Sequence, residues 1–290
     1  MQYMKKYVQE ATDENIWTSI KNNTFGRNKD IKDFIDGLEL IDESACISLD
    51  AKWGDGKTFF VRQIEEVLKY VLVNQRADEE NPIEKLPSYE YLKDNEMMAK
   101  IDLKHSYLPI YYNAWMYDNH SDPLMSLLLV MTKTCRGVYD TKIDSEKISK
   151  KLIEVVATLP ISLGEFKANP FTAIEKLQGK SMDILSLVQT EEEIRERVKG
   201  IFNDIIVERA QKLVIFIDEL DRCRPSFAIE MLERIKHYFD DERVIFVVSL
   251  NKEQLIHTIT NYYGSGFDAT RYLNKFFDVN INLPAMDKYQ

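Results

Sequence analysis

Ala45-Cys-Ile-Ser-Leu-Asp-Ala-Lys-Trp-Gly-Asp-Gly-Lys-Thr58 is the stretch that decides the fold of this 290-residue chain. Its first six residues predict a buried strand, and the residues after it resemble a phosphate-binding loop that leads into a helix. Gly54 and Gly56 let the backbone wrap around phosphate oxygens because they carry no Cβ. The helix that starts near Lys57 points its free N–H groups at the same place. The stretch therefore predicts a strand, a loop and a helix that bind phosphate.

The side chains of this loop are the first candidates for binding a nucleotide. We expect Lys57 to reach the β and γ phosphates as a catalytic cation and the Thr58 hydroxyl to bind Mg²⁺. The other loop and first-turn residues that we expect to bind the nucleotide are Trp53, Gly54, Asp55, Gly56 and Phe59. One position departs from the usual pattern G-x-x-x-x-G-K-[ST], because Ala51 stands at its first glycine. Alanine is penalised wherever φ must be positive.

A second stretch, Leu213-Val-Ile-Phe-Ile-Asp-Glu-Leu-Asp221, predicts a buried strand that ends in acidic residues. The carboxyl end of a strand is where ligands bind in open α/β sheets. We therefore expect Asp218 to hold Mg²⁺, usually through water, and Glu219 to polarise the attacking water as general base. The strand predicted at 243–249 ends near Ser249 and Asn251, which are candidate contacts to the γ-phosphate or its attacking water. The alternative there is an ordinary strand end that meets a turn.

The two stretches together favour a nucleoside triphosphatase. A triphosphate requires several aligned N–H donors, a cation near its β and γ phosphates, and Mg²⁺ to offset the charge that develops during transfer. The loop supplies the donors and the cation, and the acidic strand supplies the metal ligand and the base. We therefore expect ATP and Mg²⁺ as cofactors.

The composition argues against several other classes of protein. The net charge is −10, so the chain lacks the basic field that holds a nucleic-acid backbone, and nucleic acid is an unfavourable partner for this chain alone. The longest apolar stretch, between Lys151 and Phe166, is interrupted by Glu154 and Pro160 and is too short to span a bilayer. The first ten residues lack the apolar core of a signal peptide. Three cysteines fit neither disulfide pairing nor metal spacing, so we expect reduced thiols in a cytoplasmic protein.

Strands alternate with helices along the chain, which implies a mostly parallel sheet with helices on both faces. We expect an α/β fold in a single domain over residues 1–290, with insertions at about 76–106 and 140–190. The first insertion is polar and charged, and we expect it at the surface with a short helix. The second has a weak helical pattern broken by prolines, and we expect an inserted helical lobe.

The predicted elements follow from apolar periodicity and from capping signals. The helix at 190–211 opens with Thr190 and Glu193, which are arranged as a capping box. The remaining predicted elements are two short helices within 13–41, strands at 45–50, 108–113, 213–218, 243–249 and 276–283, and helices at 57–73, from Pro123 to 135, at 226–239 and at 252–262.

Several motifs make the chain similar to the KAP family of P-loop NTPases. They are the loop sequence Trp-Gly-Asp-Gly-Lys-Thr, the segment Ile-Tyr-Tyr-Asn-Ala-Trp at 110–115 followed by Asp122-Pro123, the acidic strand running to Asp-Arg-Cys223, and the tail Tyr-Leu-Asn-Lys-Phe-Phe at 272–277. The Asn-Ala-Trp and Asp-Arg-Cys segments are the most specific, because the general phosphate-loop pattern does not require them. The resemblance covers about residues 24–284.

The resemblance implies an ATP-hydrolysing core with a catalytic glutamate on the acidic strand. It also implies a five-stranded sheet in the order 5-1-4-3-2, in which a further strand lies between the two motif strands. Many bacterial relatives look tied to phage defence or to membrane-associated signalling complexes. Many relatives also carry membrane helices between the two motifs, but residues 140–190 show none. Glu219 stands where relatives often have a second aspartate, which favours hydrolysis.

Three further positions carry assignments with an open alternative. Arg222 and Arg224 lie just beyond the acids, so either is a candidate arginine finger, unless both pair with acids of the same sheet. Trp115 is a candidate lining residue of the nucleotide pocket, although we favour a buried aromatic at a strand end. Gly26-Arg27 resembles the entry turn near adenine in signalling ATPases, unless it only caps a helix.

These observations lead to a cytosolic, magnesium-dependent ATPase whose hydrolysis switches conformation or assembly. After Leu283-Pro284 the predicted sheet is complete, so we expect the output to come from a homo-oligomer or a partner effector protein, unless the chain is the core of something longer. A sensor or scaffold that binds ATP with little or no hydrolysis is the main alternative. A P-loop kinase needs an arginine-bearing lid, and residues 140–190 are poor in arginine. A nucleic-acid translocase needs basic loops, against which the net charge of −10 counts.

Overall fold

A five-stranded sheet whose strand pairs are all parallel forms the centre of the fold. The computed structural model describes residues 10–77, 82–120, 122–138, 195–203, 210–239 and 241–284. The strands are β1 (Ala45–Asp50), β2 (Tyr107–Asn113), β3 (Lys212–Asp218), β4 (Val244–Leu250) and β5 (Val279–Asn282). Their order, β2-β3-β4-β1-β5, is the predicted order 5-1-4-3-2 read from the other edge. As the resemblance implies, β4 lies between the two strands that carry the phosphate loop and the acids.

Helices cover both faces of the sheet, as the alternation of strands and helices predicts. One face carries α1 (Asp13–Asn22), α2 (Asn28–Leu38), α3 (Lys57–Arg76) and α4 (Tyr89–Leu92), and we call its buried cluster the α3 core. The other face carries α5 (Pro123–Val138), the helical residues 195–203 as α6, α7 (Pro225–Tyr238), α8 (Lys252–Tyr263) and α9 (Ala269–Leu273), and its cluster is the α5 core. Short 3₁₀ turns occur at Ile83–Lys85, Met98–Lys100, Ala114–Tyr117 and Leu220–Arg222.

Proline and short polar side chains set the starts of several helices. Pro123 and Pro225 are the first residues of α5 and α7, where a missing N–H costs nothing because the first turn has no intrahelical acceptor for it. Asn251 accepts a hydrogen bond from the Gln254 amide at the start of α8, and Asp268 caps α9 in the same way. The start signal at Pro123 and the predicted helix start at 252 therefore match the structure.

The alternation of side chains along the strands decides which polar groups face α3. Val214 and Phe216 of β3 belong to the α3 core, so Asp218, two residues further on, lies on the same face. Ile245 and Val247 of β4 are in that core as well, which places Ser249 beside Asp218 on the α3 face. The carboxyl ends of two neighbouring strands thus present polar side chains toward the start of α3.

The segment at 82–106 contains the expected short helix, α4, but it also contributes to the interior. Leu86, Leu92, Met97 and Leu103 are buried, and the last three belong to the α3 core. Asn95 Nδ2 donates to the Ile20 carbonyl at 2.9 Å, which ties the segment to α1. These contacts explain how a polar segment is held against the domain.

Two expectations concern parts of the chain that lie partly or wholly outside the described residues. The inserted helical lobe at 140–190 lies outside them, and so does the Thr190 capping box; of the predicted helix 190–211 the structure describes 195–203, which is helical. At the end of the sheet the expected strand 276–283 is shorter, because Phe276 and Phe277 pack in the α5 core before β5 begins at Val279. Helix α9 was not expected from the sequence.

None of the helices within the described ranges combines the length and apolar character that a bilayer crossing requires. Cys46 and Cys223 are buried free thiols, consistent with the expected reduced state. Burial raises the pKa of both thiols well above the ordinary range, so neither is a ready nucleophile.

Candidate functional site

The loop between β1 and α3 has the backbone geometry of a phosphate cradle. Gly54 and Gly56 adopt φ values of +88° and +82°, which L-residues with a Cβ rarely adopt. Gly56 is the N-cap residue of α3, so no side chain accepts hydrogen bonds from the first amides of this helix. These amides have no intrahelical acceptor, and they point to the carboxyl edge of the sheet. The two glycines therefore leave a helix N-terminus open to an anion.

Ala51 does not strain this loop. Among the described residues, only Asn23 and Glu219 combine a positive φ with a side chain, so the φ of Ala51 is ordinary. Its amide donates to the Leu250 carbonyl at 3.2 Å, and its methyl group packs against the α3 core. The position that departs from the phosphate-loop pattern is thus one at which alanine fits.

Lys57 is folded over the loop that precedes it. Its Nζ donates to the carbonyl of Ala51 at 2.5 Å and to that of Lys52 at 3.1 Å. Burial lowers the pKa of Lys57, and the nearby carboxylates of Asp221 and Asp218 act against this shift. The ammonium group thus lies at the mouth of the loop, in the field of the acidic strand.

Asp218 and Ser249 form the floor of the site on the α3 face. Asp218 is 1% exposed; its Oδ1 accepts from the Glu219 amide at 3.0 Å and its Oδ2 accepts from the Tyr111 hydroxyl at 3.0 Å. The buried Oγ of Ser249 has no hydrogen-bond partner among the described residues. A buried hydroxyl without a partner is costly, so it indicates a polar ligand or water at this edge.

Glu219 has a conformation that is unusual for a residue with a side chain. Its φ of +62° and ψ of +27° lie in the left-handed region. Asn113 Nδ2 donates to its Oε2 at 3.2 Å, and Arg222 Nη2 lies 3.1 Å from its Oε1. Burial raises the pKa of Glu219, and the Arg222 charge opposes this shift. Such local strain clusters at functional positions.

A direct hydrogen bond joins the phosphate loop to the acidic segment. Trp53 Nε1 donates to Asp221 Oδ2 at 2.6 Å, although the indole itself is 54% exposed. The structure therefore brings together the loop residues, Lys57, Asp218 and Glu219 at one edge of the sheet. Within the described residues, no group of three or more His, Cys, Asp or Glu side chains is placed to hold a metal ion.

Other residues named from the sequence have contacts of their own. Asn251 uses its Oδ1 to cap α8, and the Phe59 ring packs edge-on against Phe25 with 5.6 Å between centroids. Arg224 is paired with Asp118 through its Nε at 3.2 Å. Asp55 closes the loop turn through its amide, which donates to the Lys52 carbonyl at 3.3 Å.

Two weaker expectations receive a different explanation from the structure. Trp115 is 54% exposed and stacks with Arg222, so the interpretation as a buried aromatic is wrong. Arg27 is buried and donates to the Pro284 carbonyl at 2.5 Å and to Asp30 at 3.0 Å. Arg27 is also the N-cap residue of α2, as the alternative interpretation of a helix cap expects, and its contacts tie this helix start to Pro284, just after β5.

Sequence reasoning missed Tyr111 and Asp221. Tyr111 binds the Asp218 carboxylate and Asp221 binds the Trp53 indole. A signal for the first was present: Asn113 pairs with Asp218 in the parallel register of β2 and β3, so alternate residues of β2 share a face with the acid. The contact of Asp221 depends on the side chain of Trp53 in the loop, and the phosphate-loop pattern gives no signal for it.

Comparison with known protein families gives this site its context. A family model described as the KAP family P-loop domain matches residues 27–290. The chain belongs to this family. It is therefore a P-loop NTPase domain of the nucleotide-binding class, as the motifs predicted. The KAP-family match includes the loop, the acidic strand and all five strands.

A curated protein also matches the chain. It is an uncharacterized protein of Methanocaldococcus jannaschii, 25% identical over 173 residues, with coverage of 49% of this chain and 89% of that protein. Its name states no activity.

Proposed function

We propose that this KAP-family chain binds ATP with Mg²⁺ and hydrolyses it, and that hydrolysis switches its conformation or assembly. The observation that carries the proposal is the Trp53–Asp221 hydrogen bond of 2.6 Å, which joins the phosphate loop to the segment that bears Asp218 and Glu219. A loop for phosphate, a buried acid and a second acid at one sheet edge supply the groups that triphosphate hydrolysis requires.

In this proposal each residue has a defined role. The backbone of Trp53–Gly56 and the first amides of α3 bind the phosphates, and Lys57 exchanges its loop carbonyls for the β and γ phosphates. Thr58 and Asp218 are the two protein donors for Mg²⁺, an ion that usually keeps several waters and takes the remaining oxygens from phosphate. Bound Mg²⁺ offsets the charge that develops on the transferred group. Glu219 orients and polarises the attacking water.

The wider setting also belongs to the proposal. We place the protein in the cytoplasm, supported by its free buried thiols, and expect a homo-oligomer or a partner effector to transmit the switch. A role in bacterial anti-phage defence is proposed from the family resemblance alone.

The experiment measures phosphate release and nucleotide affinity for wild type, Lys57→Ala and Glu219→Gln, with Lys29→Ala as the control because Lys29 is an exposed lysine on α2. Lys57→Ala should weaken ATP binding about tenfold or more, since it removes the only loop cation that the pattern places on the phosphates. Glu219→Gln should bind ATP normally but lower kcat at least about 100-fold. Full hydrolysis by Glu219→Gln would refute the base assignment.

A nucleotide-sensing scaffold with little or no hydrolysis is the second candidate. It is favoured by one observation, the engagement of both Glu219 oxygens by Arg222 and Asn113. Wild-type protein that binds ATP with Mg²⁺ but releases no phosphate would support this function over the first. Protein that binds no nucleotide at all would refute both.

A further inference from the structure

The engagement of Glu219 poses a chemical problem for a general base. A carboxylate that polarises water must offer an oxygen lone pair to that water. Here Oε1 lies 3.1 Å from the Arg222 guanidinium, and Oε2 accepts from Asn113 at 3.2 Å. The Glu219 side chain is only 14% exposed, so few directions remain open to solvent. Water therefore has to compete with Arg222 for the Oε1 atom.

Arg222 is in turn held by an exposed aromatic. Its Cζ lies 5.5 Å from the centroid of the Trp115 ring, and the two side chains are 44% and 54% exposed. A guanidinium over an indole face gains electrostatic and dispersion attraction. Trp115 belongs to the 3₁₀ turn after β2, and Arg222 belongs to the turn after β3. The stack therefore fixes Arg222 from a neighbouring strand end.

The same short turn also touches the phosphate loop. Asp221, the residue before Arg222, accepts the hydrogen bond from Trp53. The turn Leu220–Arg222 thus contacts the loop through Asp221 and the base through Arg222. Asp221 and Arg222 are adjacent in the chain, so these two residues connect the phosphate loop to Glu219.

We propose that Arg222 is a positioning residue that withholds Glu219 from the attacking water, and that its stack on Trp115 keeps it in this position. We call the set Glu219, Arg222 and Trp115 the Arg222 latch. The inference rests on the proposed hydrolytic function. It differs from an arginine finger, because a finger adds positive charge to the phosphates and its loss removes activity.

The first test measures steady-state ATP hydrolysis. Arg222→Ala and Trp115→Ala should each raise kcat about three- to tenfold with KM within twofold, because Glu219 is freed while the phosphate loop is unchanged. Trp115→Phe keeps an aromatic face and should stay near the wild-type rate. Arg271→Ala, an exposed arginine on α9, is the control and should change nothing. A tenfold or larger fall in kcat for Arg222→Ala would instead identify a residue that supports the reaction, and an unchanged kcat would also overturn the latch.

A second test does not depend on hydrolysis. The Glu219 carboxyl carbon is titrated by ¹³C NMR in glutamate-labelled protein, with Glu219→Gln used to assign the signal. Arg222→Ala should move the titration midpoint to higher pH, because a nearby cation favours the ionised carboxylate. Trp115→Ala should move it in the same direction by a smaller amount. A midpoint that stays in place in both variants overturns the latch.

The two readouts separate the latch from the proposed function. If wild-type protein and every variant release no phosphate while the midpoint moves, the hydrolytic function fails and the Arg222–Glu219 contact stands. If wild-type protein hydrolyses ATP and neither kcat nor the midpoint responds to Arg222→Ala, the latch alone fails.

Discussion

The phosphate loop shows that a departure from a motif is meaningful only if the backbone requires the missing residue. Ala51 replaces a glycine of the pattern, but its φ is not positive, whereas Gly54 and Gly56 have φ values of +88° and +82°. The need for glycine is therefore confined to the end of the loop. The Ala51 methyl group also packs against the α3 core, which a glycine does not do.

This difference leads to a prediction for Ala51→Gly. The free energy of unfolding of the variant should be about 0.5–1 kcal/mol lower than that of wild type. Glycine has more conformational freedom in the unfolded chain, and the substitution removes a packed methyl group. ATP affinity should stay within twofold of wild type. Urea unfolding and a nucleotide titration measure the two quantities. Gly54→Ala is the control for stability: its Cβ meets no protein atom within 4 Å, so any loss of stability reports the strained φ. A fivefold gain in affinity for Ala51→Gly would show that the alanine hinders the loop.

Two helices on the same face of the sheet are joined by one partly buried ion pair. Asp122, the residue before α5, pairs with Arg234 of α7. Asp122 accepts from the Leu124 amide at 2.8 Å through Oδ1, and its Oδ2 lies 2.8 Å from Arg234 Nη2. The side chains are 9% and 21% exposed. Loss of one partner therefore leaves a carboxylate with little access to water.

Arg234→Met should lower the free energy of unfolding by about 3 kcal/mol for this reason. Asp122→Asn keeps the cap on α5 but removes the charge, so the double variant should lose clearly less than the sum of the two single variants. Chemical denaturation of all four proteins completes this double-mutant cycle. Additive losses would show that the two side chains do not stabilise each other.

The sequence alone predicted the strands and helices that depend on local patterns, but not the contacts between distant residues. The apolar runs of β1 and β3 and the proline at the start of α5 predicted their positions, because these depend on neighbours in the chain. Helix α9, Ala269–Leu273, has only five residues, too few to show a helical period. The Trp53–Asp221 and Tyr111–Asp218 contacts join residues far apart in the chain through side-chain rotamers, which no local pattern encodes. The exposure of Trp115 escaped prediction for the same reason, since it depends on the Arg222 stack.

For the stability of the protein as a whole, a buried carboxylate on α3 couples the free energy of unfolding to pH. Glu65 pairs with Arg62 at 2.5 Å, and burial raises its pKa from 4.5 to about 7 while the Arg62 charge opposes the shift. The Glu65 carboxyl group therefore binds its proton more tightly in the folded protein than in the unfolded chain. Its contribution to stability is present below about pH 4.5 and is lost as the pH rises through about 7.

Glu65→Gln removes this titration. From pH 5 to pH 8, the free energy of unfolding of the variant should rise relative to that of wild type by on the order of 1–3 kcal/mol. Each unit of pKa shift corresponds to about 1.4 kcal/mol. Unfolding by urea across this pH range measures the difference, and the pH 5 comparison, at which the folded Glu65 carboxyl is protonated, isolates the effect of replacing a neutral acid with an amide. A constant difference between the two proteins across the range would contradict the assignment to Glu65.

The order of the sheet has a consequence for how the protein is made on the ribosome. β1 pairs with β4 and β5, and Ala45 stands opposite Ile245 in that register. At about 5–20 residues per second, β1 is synthesised about 10–40 seconds before either of its neighbours is translated. The strand that carries the phosphate loop is thus among the first elements to be synthesised, and the two strands that pair with it are among the last.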